Sequence, residues 1–129
     1  MVQGDQAFDV PTSEEFTRTL GRITWLMTQD DMFRSRPVSD LTSLFVTPLM
    51  FKQVRVFLKG SAPIAALSWA YASDEVLAKI ALKTTQLNAK DWRSGDKIAV
   101  VDVISPFVPR DIFTAQFFKS VSTLSPAAH

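Results

Sequence analysis

Gln53-Val-Arg-Val-Phe-Leu-Lys-Gly-Ser-Ala-Pro-Ile-Ala-Ala-Leu-Ser-Trp-Ala-Tyr71 is the stretch that decides the fold. Val54, Val56 and Leu58 alternate with Gln53, Arg55 and Phe57, the period-two pattern of a β-strand. Lys59-Gly60-Ser61 makes a tight turn, and Ala62 to Tyr71 reads as the antiparallel return strand. Pro63 falls near the start of that strand, where its missing N–H does least harm.

Helical patterns precede this hairpin. Thr12-Ser-Glu-Glu15 has the spacing of a capping box, and Phe16, Leu20, Ile23 and Met27 follow at helical intervals, predicting a helix from Ser13 to Thr28. Gly21 inside it costs about 1 kcal/mol against alanine; it marks either a close backbone approach or a harmless position. Pro37 opens a second helix carrying Val38, Leu41 and Phe45 to Thr47, and Pro48 ends it.

After the hairpin, Ser73 caps a short helix with Val76, Leu77 and Ile80, and Asp74 and Glu75 suit its dipole. Asn88 to Asp96 is irregular, with a turn at Ser94-Gly95-Asp96. Lys97 to Ile104 is a β-branched run that reads as a central strand buried on both faces. Pro109 opens a last amphipathic helix with Ile112, Phe113, Phe117 and Val121. The order α-α-β-β-α-β-α predicts an α+β class, with a small, mainly antiparallel central sheet flanked by helices. One domain is expected over residues 1–129, with a loose lead-in at 1–11 and a C-terminal tail at 122–129.

Composition narrows the function classes. Of 129 residues, 47% are hydrophobic and 21% charged, and the net charge is +1 with both signs scattered. That is no electrostatic footprint for nucleic acid or an anionic membrane. Cysteine is absent, which excludes disulfides and thiolate zinc sites. The one histidine is the terminal His129, so chemistry requiring an internal imidazole, histidine-ligated metal included, has no residue to use. Met1-Val-Gln-Gly-Asp-Gln6 has neither the basic nor the apolar region of a signal peptide, and no apolar run reaches the roughly 20 residues of a membrane span. A cytoplasmic protein without metal or bound cofactor is expected.

Asp102 is the most unusual residue by physics alone, since it interrupts the apolar run Ile98 to Ile104. A buried carboxylate costs several kcal/mol unless compensated. Two readings stand: a general base, or orienting carboxylate, with a raised pKa on a cleft floor, and a structural Asp that accepts backbone N–H groups or pairs with Arg55 or Arg34. Ser105-Pro106-Phe107 directly follows as a ligand-facing strand exit or a plain terminating loop. Trp25, Trp69 and Trp92 read first as core, Tyr71 as edge of core, and Gly95 as a turn glycine. Asp30, Asp31 and Asp74 read as solvated loop and capping residues with no metal spacing.

Six fragments occur in order: Leu20-Gly-Arg-Ile-Thr-Trp-Leu26, Arg36-Pro-Val-Ser39, Gln53-Val-Arg55, Ser68-Trp-Ala-Tyr71, Asp91-Trp-Arg-Ser-Gly-Asp96 and Asp102-Val-Ile-Ser-Pro-Phe107. Together they resemble the RTX toxin-activating lysine acyltransferases (hemolysin-activating acyltransferases). That resemblance implies a GNAT-like fold, and transfer of a fatty acyl group from acyl carrier protein to lysines of an RTX protein acceptor in the producing cell. It also implies acyl-carrier-protein thioester as co-substrate, no bound cofactor, and a homodimer. The family's essential aspartate corresponds to Asp102. Its essential histidine corresponds to Phe33: the family's His-Arg-x-Trp-Pro-Val-Ser is here Phe33-Arg-Ser-Arg-Pro-Val-Ser39, and its Ala-Pro-Phe-Gly is Ser105-Pro-Phe-Val108.

Losing that imidazole matters because an attacking lysine is protonated at neutral pH, with an ordinary pKa near about 10.4, and general acid–base assistance is worth about 100- to 10,000-fold. The resemblance therefore leaves two functions. One is an acyltransferase that acts on lysine or another amine, with Asp102 catalytic and Phe33, Arg34, Ser105, Phe107 and Trp69 binding substrate. The other is a silent homologue that binds an acyl chain, acyl carrier protein or a toxin-like partner.

Overall fold

The computed structural model describes residues 11–83 and 86–124. Of the lead-in only Pro11 is among them, and of the tail only Ser122 to Leu124; His129 lies outside the described residues. Helix α1 is Ser13–Gln29, and Thr12 and Glu15 form both halves of the capping box. After the loop come a 3₁₀ turn at Val38–Asp40, a π-helical turn at Thr42–Val46, and α2 at Thr47–Met50. Strands β1 (Val54–Lys59) and β2 (Ala62–Ala72) make the hairpin, and Gly60 supplies the positive φ of its turn. Ser73 caps α3 (Asp74–Leu82), a 3₁₀ turn spans Ala89–Trp92, and β3 (Lys97–Ile104) leads to α4 (Arg110–Leu124).

The sheet is three-stranded and antiparallel, in the order β1-β2-β3. The α+β expectation therefore holds, with helices against both faces. Val54, Val56, Ala66 and Ile104 pack with Ile23, Leu26 and Phe45 on one face. Phe57, Leu67, Trp69, Ile98, Val100 and Val103 meet Phe113 and Phe117 of α4 on the other. A third cluster joins Ala70 and Ala72 to Val76 of α3 and to Trp92. In β2, small residues (Ala66, Ser68, Ala70, Ala72) alternate with Leu67, Trp69 and Tyr71. The α1/α3 face thus leaves room for large side chains from elsewhere.

Three expectations about the elements need correction, and a fourth, at Asp30, follows below. The strand Lys97–Ile104 is an edge strand, not the central one, which is β2. Nor is it buried on both faces: its apolar run, broken at Asp102, borders α4 on one side and an open cavity on the other, and residues 98–103 are only half-buried. Pro48 does not end the second helix, which runs through it to Met50. The preceding π turn inserts a residue, and Pro48 falls in the first turn of α2, where a missing N–H is tolerated. The tail does not begin at Ser122, because α4 continues to Leu124.

Two buried polar hubs tie these elements together. Gln53 donates through Nε2 to the carbonyls of Trp69 and Trp92, both at 3.0 Å, and accepts from Arg93 Nε at 2.7 Å. Asp30, 2% exposed, receives a two-pronged guanidinium from Arg110, each contact 2.8 Å. The same carboxylate accepts the N–H of Met32 and of Ser105, each at 2.9 Å, and Arg110 also donates to the Val103 carbonyl at 3.1 Å. Asp30 is thus no solvated loop residue, contrary to the sequence reading. It clamps the end of α1 to the exit of β3 and the start of α4. The hydrogen bonds from Arg110 are the main reason its carboxyl is held below the usual carboxylate range, against the opposing effect of burial.

Asp30→Asn should cost about 3–5 kcal/mol, because it leaves Arg110 without its counter-charge, and chemical denaturation will measure it. The stability due to ionised Asp30 is fully present above about pH 4, the ordinary carboxylate value. It disappears as pH falls through the lower folded value, so wild type and variant should converge in acid. The glycines supply a second check. A Cβ on Gly95 would lie 2.5 Å from the Ala72 carbonyl oxygen, whereas one on Gly21 meets nothing within 4 Å. Gly21→Ala should raise stability by about 0.5–1 kcal/mol. Gly95→Ala should lower it.

Candidate active-site cavity

A cavity of about 430 Å³ opens on the α1/α3 face of the sheet. The segment after α1 and the π turn form one wall through Met32, Phe33, Arg36, Ser43 and Leu44. Lys79 and Ile80 of α3, Lys83 just after it, and Gln86 and Leu87 also line it. Val101 and Asp102 of β3, with Trp92, complete the lining.

A register shift in β3 aims Asp102 at this space. Ser68 pairs with Asp102 while Trp69 pairs with Val100, leaving Val101 as an extra residue. The bulge lets Val101 and Asp102 both line the cavity, although neighbouring strand residues normally point to opposite faces. It also takes the Asp102 N–H out of the regular ladder, and Ser68 Oγ accepts it at 3.3 Å.

The Asp102 carboxylate accepts no hydrogen bond among the described residues. Burial pushes its pKa up, and the positive charges of Arg36 and Lys83 partly oppose that rise. The structural reading of Asp102 is thereby corrected. Arg55 lies on the other face, 2.7 Å from Ser120 Oγ, and Arg34 pairs at 3.3 Å with the exposed Asp31. Neither one reaches the carboxylate, because the pleat and the exposed loop direct both away from it.

Phe33 shares the cavity with Asp102. It is 4% exposed and meets Phe45 edge-on at 6.4 Å, so the ring is both cavity wall and core. The remaining candidates lie elsewhere. Arg34 is outside the lining, and Trp69 packs against Phe117 beneath α4 at 4.8 Å. Ser105 is buried with its N–H on Asp30 and its hydroxyl donated to the Val108 carbonyl. Phe107 is exposed and leans on Trp25 at 6.2 Å. Of the six site residues expected from sequence, the fold brings Asp102 and Phe33 together.

Sequence reasoning missed the cationic residues here. Arg36 reaches the cavity while bound to Asp40 at 3.0 Å, and Lys79 does so while bound to the buried Asp91 at 3.0 Å. Lys79 and Lys83 are four apart on and just beyond α3, a spacing that puts them on one face. Periodicity could have grouped them, but not placed them in one cavity with Asp102. Among the described residues no group of His, Cys, Asp and Glu could hold a metal ion. No described helix is long and apolar enough to cross a membrane.

The raised pKa of Asp102 has a stability consequence with a definite sign. Below the unfolded value, about 3.9, both states are protonated and nothing is lost. As pH climbs towards the higher folded value, the folded state bears an increasing cost for ionising, which is constant above it. Asp102→Asn should therefore be more stable than wild type at pH 7, with the difference vanishing in acid. Denaturation midpoints at pH 7 and pH 3.5 measure it.

The sequence model of the RTX toxin acyltransferase family matches residues 12–123, which span every element from α1 to α4. Protein-lysine myristoyltransferase RtxC of Kingella kingae is 30% identical over 103 residues, 80% of this chain and 62% of that protein. The RTX-II toxin-activating lysine-acyltransferase ApxIIC of Actinobacillus pleuropneumoniae is 34% identical over 68% of this chain and 55% of its own length. Protein-lysine palmitoyltransferase CyaC of Bordetella bronchiseptica is 28% identical over 68% of this chain and 48% of its own. The matched region is thus about half to three fifths of each relative. With a match covering the sheet, the clamp and the cavity alike, the chain belongs to the RTX toxin acyltransferase family.

Proposed function

We propose that this chain is a toxin-activating lysine-acyltransferase-like protein. It takes a fatty acyl group from the thioester of acyl carrier protein and delivers it to a lysine of an RTX-type protein, or to another amine. Its three-stranded sheet is read as the core of a GNAT-like fold, acting in the cytoplasm and able to pair with a second copy. One observation carries the reading: Asp102, whose carboxylate has no hydrogen-bonding partner among the described residues, lines the same cavity as Phe33. Family membership supports it.

In this scheme the acceptor ammonium gives a proton to Asp102. The freed amine attacks the thioester carbonyl, a C–N bond forms, the C–S bond breaks, and the carrier leaves as a thiol with the remaining proton. A raised carboxylate pKa suits Asp102 to accepting that proton, since base strength rises with pKa. The apolar ring of Phe33 suits an alkyl chain. The backbone N–H of Ser105 is occupied by Asp30, so the carbonyl must find its donor elsewhere.

The alternative is a silent homologue that holds an acyl chain, acyl carrier protein or a toxin-like partner without turnover. Phe33 favours it, because no described side chain in the cavity is an imidazole. Purified protein, acyl-loaded carrier protein and a lysine-bearing RTX acceptor, followed by mass spectrometry, separate the two. Transfer by wild type that falls about 100-fold or more in Asp102→Ala is the expected result. No transfer by wild type, with transfer by Phe33→His, would establish the silent reading instead.

A further inference from the structure

Lys83 lines the cavity, and its positive charge acts on Asp102. It makes no ion pair or side-chain hydrogen bond among the described residues. The other nucleophile-bearing side chains of the lining are occupied. Ser43 Oγ donates to the Asp40 carbonyl at 3.3 Å, and Lys79 Nζ holds the buried Asp91 at 3.0 Å. Arg36 keeps its charge at any accessible pH and so has no lone pair to attack with. The backbone at Lys83 is unusual as well. It caps the C-terminus of α3 with φ +59°, a left-handed conformation for which glycine is the favoured residue. Other residues held in that conformation cluster at functional sites.

The cavity thus holds an amine of its own together with a base, Asp102. Phe33, Leu44, Ile80 and Leu87 give it apolar surface for a hydrocarbon chain. Its volume of about 430 Å³ is in the range of small-molecule sites. An amine that belongs to the cavity reacts within the complex of chain and thioester, and no second molecule has to be captured. Effective concentrations of well-oriented internal groups reach about 10⁵–10⁸ M. The general acid–base assistance forgone with Phe33 is about 100- to 10,000-fold. Proximity is the larger effect, so an internal amine is the acceptor that suffers least from the missing imidazole.

We propose that Lys83 is a self-acylation site: its ε-amine takes a fatty acyl group from a thioester bound in the cavity and keeps it as an amide. This rests on the thioester reading of the cavity and adds an acceptor within the chain itself. The Lys83 ammonium gives one proton to Asp102. The freed amine attacks the thioester carbonyl, the C–N bond forms and the C–S bond breaks. A second proton leaves with the sulfur as a thiol, and the last stays on the amide nitrogen. The product holds its alkyl chain beside the apolar lining. It also loses one of the two positive charges that restrain Asp102, so the modified cavity is less polar than the free one.

Incubation of the full chain with the decanoyl thioester of N-acetylcysteamine, without any RTX acceptor, tests this. Intact-mass measurement counts the decanoyl groups, and chymotryptic peptide mapping places them. The expected result is a single hydroxylamine-resistant decanoyl group on Lys83, formed well ahead of any on the exposed Lys59, Lys90 and Lys119. Asp102→Asn should slow the reaction at Lys83 about 100-fold or more and leave the background at those three lysines unchanged. Lys83→Arg should abolish the single modification. Label spread evenly over the exposed lysines, or a Lys83 rate untouched by Asp102→Asn, overturns the proposal. A parallel reaction with acyl carrier protein and an RTX acceptor separates it from the reading beneath it. If the acceptor is acylated while Lys83 stays bare, self-acylation is overturned and the acyltransferase reading stands. If neither is acylated, both are overturned. Wild type and Asp102→Asn decide even if Lys83→Arg folds poorly.

Discussion

The pairing of Asp30 with Arg110 is the constraint on which the rest of the structure depends. Three chain segments meet there that share no strand pairing: the end of α1, the exit of β3 and the first residue of α4. Without them locked together, the loop carrying Phe33 and Arg36 would have no fixed relation to the strand carrying Asp102. A buried carboxylate is tolerable only when its acceptor sites are used, and this one accepts two guanidinium contacts and two backbone N–H groups. The clamp thus acts on geometry as much as on stability. It also consumes the N–H at the start of the Ser105 loop, fixing what that loop can offer a ligand.

The cavity has a second origin, in the composition of β2. Alanines at 66, 70 and 72 and Ser68 line the face towards α1 and α3, while Leu67 and Trp69 fill the face towards α4. Small residues on a central strand hold back volume. Much of it is taken by Phe45 and Trp92 reaching in from neighbouring segments, and the remainder is the open space beside Asp102. The β-bulge at Val101 then aims the carboxylate into that space. Sheet and site were built by the same alternation.

How much of this could be read from the sequence depends on the range of each signal. The capping box at Thr12 and Glu15, the cap at Ser73 and the turn at Gly60 rest on residues at most three apart, and the structure has all of them. Asp30 was misread because its partner lies 80 residues away, and nothing near it distinguishes a clamped aspartate from a solvated one. Pro48 was misread because a breaker rule assumes an α-helix before it, and a π turn changes which carbonyl the ring must avoid. Asp102 was legible as an anomaly within an apolar run. The direction it faces was not, since that depends on a bulge in register with Ser68.

Phe33 and Arg36 are the two departures in the family's His-Arg-x-Trp-Pro-Val-Ser motif, and both line the cavity together with Asp102. Their effects are opposite in kind. Phenylalanine removes a group that titrates near neutrality and replaces it with a ring shared with the core through Phe45. Arginine adds a charge that is never lost in the accessible pH range and so cannot exchange a proton. Asp102 is left facing a permanent cation in place of an exchangeable partner, while burial raises its proton affinity and Arg36 restrains the rise. Among the described residues no imidazole lines this cavity, and Asp102 is the one carboxylate there that can take up a proton.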